Sequence, residues 1–385
     1  MHAAISGALL RQARLQRDWS QEGLCRGICA VSYLSKIEQG KVEASGEILR
    51  QLFARLSLPW YDQELEPWQA LVNESYEAVF SCDRAAYRRC RPKLEVALPQ
   101  LRQSPLALDA AILEGLLLSP FTPAPAVLEP YFDRRQLALQ RMMENRDEEA
   151  LKLYPCAYLY LMAGIHAYEQ GEAAVSLLEQ AYDLAAAEGY AHAMLRAQLF
   201  LGNFYSNLLD YPHMDRHYTV AQRLAQALGD EGILRDIRYN RAATALELGR
   251  YEEAYAYLAA LAEPTVMELH KLSIACEKLG RRAEALAALD LADGQETEYP
   301  EADLAREMCA LVRLRLEDED YLRNGDYGRR LLSLFDRCRR ELPIGYAVFH
   351  LPWVAEWYTA ARQYRAAYEL LRDFPVKVPL PYASP

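Results

Sequence analysis

The stretch SQEGLCRGICAVSYLSKIEQGK, residues 20–41, decides how the start of this chain folds. Ser20 is a good helix N-cap with an acidic residue in the turn that follows, so we predict a short helix that stops at Gly27. A second short helix is predicted over 31–38, and Gly40 ends it. Two short helices joined by a few residues, inside a small helical unit, make a helix-turn-helix arrangement.

The flanking residues complete a small helical head. Apolar residues at near-helical spacing over 5–17 predict a helix before the pair. Ser45 is a candidate cap for a further helix over 46–58, and Pro59 stops it.

The charge of the chain is unevenly distributed. Residues 1–60 hold eight basic and five acidic residues, a net +3, whereas the rest holds 35 basic and 49 acidic residues, a net −14. A basic head on an acidic body favours a head that binds nucleic acid and a body that does not. The chain contains no run of eighteen apolar residues and no secretory signal layout, which predicts a cytoplasmic protein without a membrane span.

Several positions of the head carry a family resemblance. Leu10-Arg11, Ser20-Gln21, Leu24 and the run LSKIEQG at 34–40 resemble the Cro/repressor-type (XRE) helix-turn-helix domain. In that family the positions of Arg11 and Glu38 usually form a structural ion pair, so neither is expected to read bases.

The second helix of such a pair lies in the major groove of DNA, and its early residues meet base edges. Ser32, Tyr33 and Lys36 are therefore the predicted base-facing residues, although Tyr33 has the alternative of packing on a neighbour. Gln21, at the start of the preceding helix, and Lys41 are predicted to contact phosphate.

The rest of the chain repeats a pattern of two apolar helices separated by a short break. It resembles degenerate tetratricopeptide repeats, in which a small residue of the first helix packs on a small residue of the second. The predicted small positions are Gly202, Ala242, Ser273 and Ala355 in the first helices, and Ala254, Ala285 and Ala367 in the second, with Met214 replacing Ala in its repeat. The segments that carry the pattern are 161–185, 201–225, 245–258, 275–289 and 358–371.

We therefore predict an all-α protein with two domains. Residues 1–64 form the XRE/Cro-type helix-turn-helix domain, and 65–385 form the repeat domain. The resemblance implies that the repeats stack into a right-handed superhelix, whose inner face is a groove suited to extended peptides. The proline-rich end, 374–385, is expected to be an extended cap or a loose end.

Amide side chains suit such a groove because they donate and accept hydrogen bonds to a peptide backbone. The candidate peptide-binding residues are Asn203, Asn207 and Asn240, with Tyr168 and Tyr239 and also Tyr205 nearby in sequence. Ordinary surface amides are the alternative interpretation. Arg235, Arg241 and Lys278 are candidates for holding a carboxylate of the peptide.

An XRE head on a degenerate tetratricopeptide body resembles the Rap–Rgg–NprR–PlcR–PrgX (RRNPP) group of quorum-sensing regulators. That resemblance implies a cytoplasmic homodimer that binds a two-fold DNA operator and responds to a short signalling oligopeptide. The alternative is a DNA-binding repeat protein whose repeats bind a protein partner, or only dimerise, without a peptide ligand.

An enzyme is not expected. No phosphate-binding loop, dinucleotide-binding GxGxxG or GxSxG motif occurs, and no cofactor is expected. His213 and His217 have the i, i+4 spacing of a metal pair, but the residues between them do not form HExxH. The eight cysteines include no CxxC pair, so we expect reduced thiols and no metal site.

Overall fold

The structure, a computed structural model, describes residues 2–63, 65–118, 122–208, 210–295 and 302–374. Every regular element within these ranges is a helix, which confirms the all-α prediction. Most of the proline-rich end lies outside the described residues. Across the described ranges, no helix combines the length and apolar character needed to cross a membrane.

The helices fall into two compact units, Met1–Ala197 and Gln198–Pro385, with the division inside one helix. The predicted border between residues 64 and 65 lies within the first unit, and the two-domain assignment stays a prediction. The helices that begin in the first unit are α1 (His2–Leu15), α2 (Gln21–Cys25), α3 (Val31–Glu38), α4 (Gly46–Arg55), α5 (Glu66–Phe80), α6 (Arg84–Leu101), α7 (Ala107–Leu117), α8 (Arg134–Met143), α9 (Asp147–Leu153), α10 (Ala157–His166), α11 (Glu172–Glu188) and α12 (Ala191–Asn207).

The head helices α1–α4 form as the sequence predicts. The Ser20 hydroxyl accepts a hydrogen bond from the Gly23 amide at 3.0 Å, and Ser45 caps α4 in the same way. Leu34 and Ile37 are fully buried in the core of the head. At Gly7, an added Cβ would lie 1.9 Å from the Ile37 carbonyl oxygen, so only glycine lets α1 approach α3 this closely.

The head also packs on a later helix of the first unit, α7. Ile5 of α1 is buried with Ala107 and Leu108 of α7. The backbone amide of Tyr61 donates to the Gln103 carbonyl at 2.8 Å. These contacts hold α1 and the chain after α4 against the body helices of the same unit.

The second unit continues with helical hairpins. Its helices after α12 are α13 (Tyr211–Leu228), α14 (Glu231–Glu247), α15 (Tyr251–Leu258), α16 (Val266–Lys278), α17 (Arg282–Asp293), α18 (Ala302–Glu317), α19 (Gly325–Glu341), α20 (Ile344–Ala360) and α21 (Tyr364–Asp373). The predicted repeats correspond to α10/α11, α12/α13, α14/α15, α16/α17 and α20/α21. The hairpin α18/α19 is not indicated by the repeat pattern.

The predicted small residues are buried on both helices of α14/α15 and of α16/α17. Ser273 and Ala285 are both fully buried on α16 and α17. In the hairpin α12/α13, the atoms nearest to a Cβ added at Gly202 belong to Tyr218. The absent side chain at Gly202 makes room for the tyrosine ring, which is why a large residue fits in this repeat.

Candidate functional site: the DNA-recognition helix and the polar faces of the body

Helix α3 presents a polar face to solvent. Ser32 and Lys36 are exposed, whereas Tyr33 is half-buried and packs against the core of the head. Lys41 is exposed just beyond the end of α3, where its backbone amide donates to the Lys36 carbonyl at 2.9 Å. The two lysines therefore lie at the C-terminal end of α3, and Ser32 lies in its first turn.

Gln21 opens α2 and is half-buried. Its side-chain nitrogen donates to a carboxylate oxygen of Glu38 at 2.8 Å, which joins the start of α2 to the end of α3. The structure thus gives Gln21 a positioning contact in addition to the phosphate contact predicted for it.

The ion pair expected from the resemblance involves a different arginine. Arg11 is exposed, and Glu38 is paired with Arg14 instead. Arg14 also donates from Nη1 to the Trp19 carbonyl at 2.7 Å, which fixes the turn between α1 and α2. The cause is geometric: Arg14 lies one helical turn beyond Arg11 on α1 and reaches Glu38 at the end of α3.

Two of the predicted peptide-binding asparagines are brought together in the second unit. Asn240 on α14 donates from Nδ2 to Oδ1 of Asn203 on α12 at 3.0 Å, and the Tyr218 hydroxyl donates to the same oxygen at 2.7 Å. The amide nitrogen of Asn203 and the amide oxygen of Asn240 have no hydrogen-bond partner among the described residues. One donor and one acceptor therefore remain on this half-buried pair.

Asn207 and Tyr239 adjoin the start of α20. The Asn207 amide oxygen lies 2.7 Å from the position that a Cβ on Gly345 would take. Tyr239 faces Tyr346, and burial is the main reason that its pKa lies well above the ordinary value. The first turn of α20 therefore covers part of the face on which these two residues were predicted to bind peptide.

Tyr168 is separated from the other candidates along the chain. It lies in a short 3-10 turn, Tyr168–Gln170, of the first unit, and it is half-buried. The other predicted peptide-binding residues belong to the second unit.

The basic candidates for a carboxylate are mostly engaged within the fold. Arg235 is paired with Glu268, with 2.8 Å from Nε to Oε1. Arg241 is paired with Asp215 at 2.8 Å. Lys278 is exposed. The two arginines therefore hold neighbouring helices together, and the expectation that they bind a peptide carboxylate is not supported by their geometry.

The two histidines with metal-pair spacing are used differently. His213 and His217 both stack on Tyr205, with ring centroids 4.9 and 5.4 Å apart. Each also hydrogen-bonds through Nδ1 at 2.8 Å, His213 with Asp210 and His217 with Gln198. Within the described ranges, no group of three or more metal-binding side chains occurs.

A groove of about 970 Å³ in the first unit was not foreseen from the sequence. Its walls include the aromatic residues Tyr76, Phe80, Tyr154 and Tyr190, and the exposed amide of Asn73. Tyr76 and Phe80 lie one turn apart on α5, and this spacing was the available signal. Aromatic side chains with a few polar groups are the usual lining of ligand pockets.

Comparisons with known proteins bear on the head most directly. Residues 10–61 match the family model HTH_3, described as helix-turn-helix. No curated protein sequence matches the chain. The chain is similar to a solved structure of Bacillus thuringiensis PlcR in complex with the peptide PapR7 and DNA. The identity is 17%, the TM-score is 0.29, and the alignment covers 74% of this chain and 99% of that one.

An identity and a TM-score this low indicate a similarity and do not establish a shared overall fold. The family match stands on its own, and it spans the last six residues of α1 together with helices α2–α4. The chain therefore carries an N-terminal helix-turn-helix domain, the type of domain with which transcription regulators bind DNA.

Proposed function

We propose that this protein is a cytoplasmic transcription regulator that binds a two-fold DNA operator as a homodimer and is switched by a short peptide. The observation that carries the proposal is the exposed polar face of α3 on a helix-turn-helix head. Ser32, Lys36 and Lys41 are accessible there, in a head whose net charge is positive.

In this proposal α3 enters the major groove, and Ser32, Tyr33 and Lys36 meet base edges. Lys41 lies at the edge of that surface and contacts phosphate. Gln21 contacts phosphate while its bond to Glu38 keeps α2 and α3 in register. A dimer presents two such helices, so its operator has two half-sites about 34 Å apart, or a multiple of that distance.

The peptide is proposed to bind the amide-rich face of the second unit. The unpaired atoms of Asn203 and Asn240 offer one donor and one acceptor to a peptide backbone. Asn207 and Tyr239 extend this face toward α20. A role for Tyr168, in the first unit, stays a separate prediction. A peptide changes DNA binding only if it prefers one arrangement of the protein over another.

One observation favours the alternative function, in which no peptide binds. The first turn of α20, at Gly345, lies against Asn207 and occupies part of the proposed face. If that turn is permanent, the amide cluster is part of the interior, and the repeats serve a protein partner or dimerisation.

The DNA-binding proposal is tested by selecting ligands from a random DNA pool with the full chain. We expect the enriched sequences to be two-fold symmetric. Lys36→Ala should weaken binding to the selected operator by about 1–3 kcal/mol at fixed salt. Lys152→Ala is the matched control, because this exposed lysine lies on α9, outside the helix-turn-helix. Equal affinities for all three proteins would contradict the assignment of α3.

The peptide proposal is tested by thermal shift with short synthetic peptides from small exported proteins encoded near the gene. A ligand that binds the folded state raises the unfolding midpoint by mass action. Asn203→Ala should reduce the shift, whereas Asn73→Ala, in the groove of the first unit, should not. The opposite result would place the peptide in that groove, and no shift with any peptide would favour the alternative function.

A further inference from the structure

The second unit buries a group of basic side chains that the proposed function does not use. His270 and Lys271 lie on α16, Arg315 on α18 and His350 on α20. Both histidines are fully buried, Lys271 is 2% exposed, and the side chain of Arg315 is 1% exposed. Basic residues this deeply buried are rare unless something pairs with them.

The basic side chains lie against two aromatic rings of α20. Lys271 lies over the ring of Phe349, and Arg315 lies 4.3 Å from the ring centroid of Trp353. The ring of His270 is within 6.5 Å, centroid to centroid, of both aromatic rings. Its centroid is also 5.9 Å from that of His350. The four basic side chains therefore surround one small region between α16, α18 and α20.

Several polar atoms in this region lack partners. Among the described residues, neither ring nitrogen of His270 has a hydrogen-bond partner, and Nε2 of His350 and Nη1 of Arg315 also have none. A buried polar group without a partner destabilises the folded state. Four such atoms on three neighbouring side chains call for a polar occupant that satisfies them together.

The buried charges are also out of balance. Arg315 is paired with Glu277, at 2.9 Å from Nε to Oε1. Lys271 has no carboxylate within 4.0 Å among the described residues, and its nearby carboxyl group is that of Glu247. Burial raises the pKa of Glu247 to about 8, which keeps this carboxyl group largely uncharged at neutral pH. A charged Lys271 would therefore lack a counter-ion.

We propose that His270, Lys271, Arg315 and His350 form an internal binding site for a small anion of the carboxylate or oxyanion class. Lys271 Nζ and Arg315 Nη1 donate to the anion, and His270 adds an N–H donor. The anion is either a free ion or the terminal carboxylate of a peptide. A free ion would bind whether or not the proposed peptide switch operates.

Anion binding at this site takes up protons. The Nδ1–H of His350 donates to the Tyr346 carbonyl at 2.7 Å, so a neutral His350 turns an acceptor nitrogen toward the site. Burial lowers the pKa of His350 to about 3 and that of Lys271 to about 7. A bound anion favours the charged form of both groups, so affinity should rise as pH falls.

Other titratable groups surround the site, and they enter the same equilibrium. They are Tyr239 and Glu247 on α14, Glu277 on α16, Tyr321 in the turn after α18, Tyr327 and Cys338 on α19, and Tyr346 and Glu356 on α20. Because sulfate keeps its charge over the range in which Lys271 and Glu247 titrate, it is the suitable probe.

The test is isothermal titration of the full chain with sodium sulfate at constant ionic strength. Lys271→Met removes the charge and leaves an unbranched side chain that is one atom shorter. Lys278→Met is the matched control, because Lys278 is an exposed lysine of the same helix. His270→Phe is a second variant that keeps an aromatic ring, and circular dichroism checks the fold of each protein.

We expect saturable sulfate binding by wild type and by Lys278→Met. An affinity at least about tenfold weaker in Lys271→Met and His270→Phe supports a site for a free anion. The binding should also tighten from about pH 8 to about pH 6. A second arm uses tri-alanine as the free acid and as the C-terminal amide. Binding of the acid alone, without sulfate binding, supports the site with a peptide carboxylate as its ligand. Absence of saturable binding by either probe, or equal binding by all four proteins, overturns the proposal.

Discussion

The guanidinium group of Arg14 holds the carboxylate of Glu38 with two hydrogen bonds. Nε donates to Oε1 at 2.6 Å and Nη2 to Oε2 at 2.9 Å, and Glu38 is only 4% exposed. The pKa of Arg14 lies above the ordinary value for arginine, mainly because of its hydrogen bond to Glu38. Because Gln21 donates to the same carboxylate, this one pair ties α1, α2 and the end of α3 together.

Arg14→Met should therefore destabilise the head more than a surface change would. Removing one partner of a buried ion pair leaves the other charged and uncompensated, at a cost of about 3–5 kcal/mol. We expect a lower midpoint in urea unfolding, together with loss of operator binding.

Arg11→Met is the matched control for Arg14→Met. Arg11 is exposed on the same helix, and it is the residue to which the family resemblance assigned the pair. A larger loss of stability from Arg11→Met than from Arg14→Met would restore the original assignment.

The head could be predicted almost completely from the sequence, because its signals are local. Caps at Ser20 and Ser45 and the ends of α2 and α3 follow from residues within one turn of each boundary. The partner of Glu38 could not be predicted in the same way. It depends on how α1 lies across α3, which is set by the close approach at Gly7.

Lys41→Ala should weaken DNA binding by about the same factor on every sequence. A phosphate contact carries no base information, and its loss should reduce the slope of log affinity against log salt by about one. Fluorescence anisotropy over a salt series, on the operator and on a scrambled duplex, measures both quantities. A loss confined to the operator would mean that Lys41 reads a base.

The repeat body was predictable only in part. The hairpins α14/α15 and α16/α17 follow from a spacing of small and apolar residues that is visible in the sequence. The contact of Asn207 with Gly345 joins residues far apart in the chain, so no local sequence pattern predicts it. The same holds for His270 and His350, which look like isolated histidines until α16 and α20 are brought together.

Gly202→Ala should destabilise the second unit. The new Cβ would lie 2.3 Å from Cδ1 of Tyr218, and overpacking of a close-packed core costs about 1–3 kcal/mol. Displacing Tyr218 would also disturb its hydrogen bond to Asn203, so any response to peptide should weaken as well. Urea unfolding and the thermal-shift assay measure the two effects.

Gly232→Ala is the control for this glycine. On α14 an added Cβ would meet Asp230 only at 3.4 Å, an ordinary contact, and alanine is favoured over glycine in a helix by about 1 kcal/mol. This variant should be neutral or slightly more stable. Equal destabilisation by both substitutions would show that the clash between residue 202 and the Tyr218 ring is not the cause.

Lys271→Met should stabilise the protein near neutral pH, in a buffer without binding anions, and the gain should vanish in alkali. Burial lowers the pKa of Lys271 from 10.5 to about 7. Between these values the unfolded chain binds the proton that the folded chain has lost, so the stability of the wild type rises with pH across this window. Methionine has no proton to bind, so the variant lacks that rise.

The free energy of unfolding of Lys271→Met should therefore exceed that of the wild type by on the order of 3–5 kcal/mol near pH 7. This gap should be close to zero above about pH 10. Both proteins are best compared in a Glu247→Gln background, because Glu247 titrates near the same range with the opposite effect. Guanidinium unfolding at a series of pH values gives the gap. A gap that stays constant from about pH 7 to about pH 10 would mean that the folded protein keeps Lys271 charged. The buried ammonium group of Lys271 would then have a bound counter-ion, as it would if the proposed anion site were occupied.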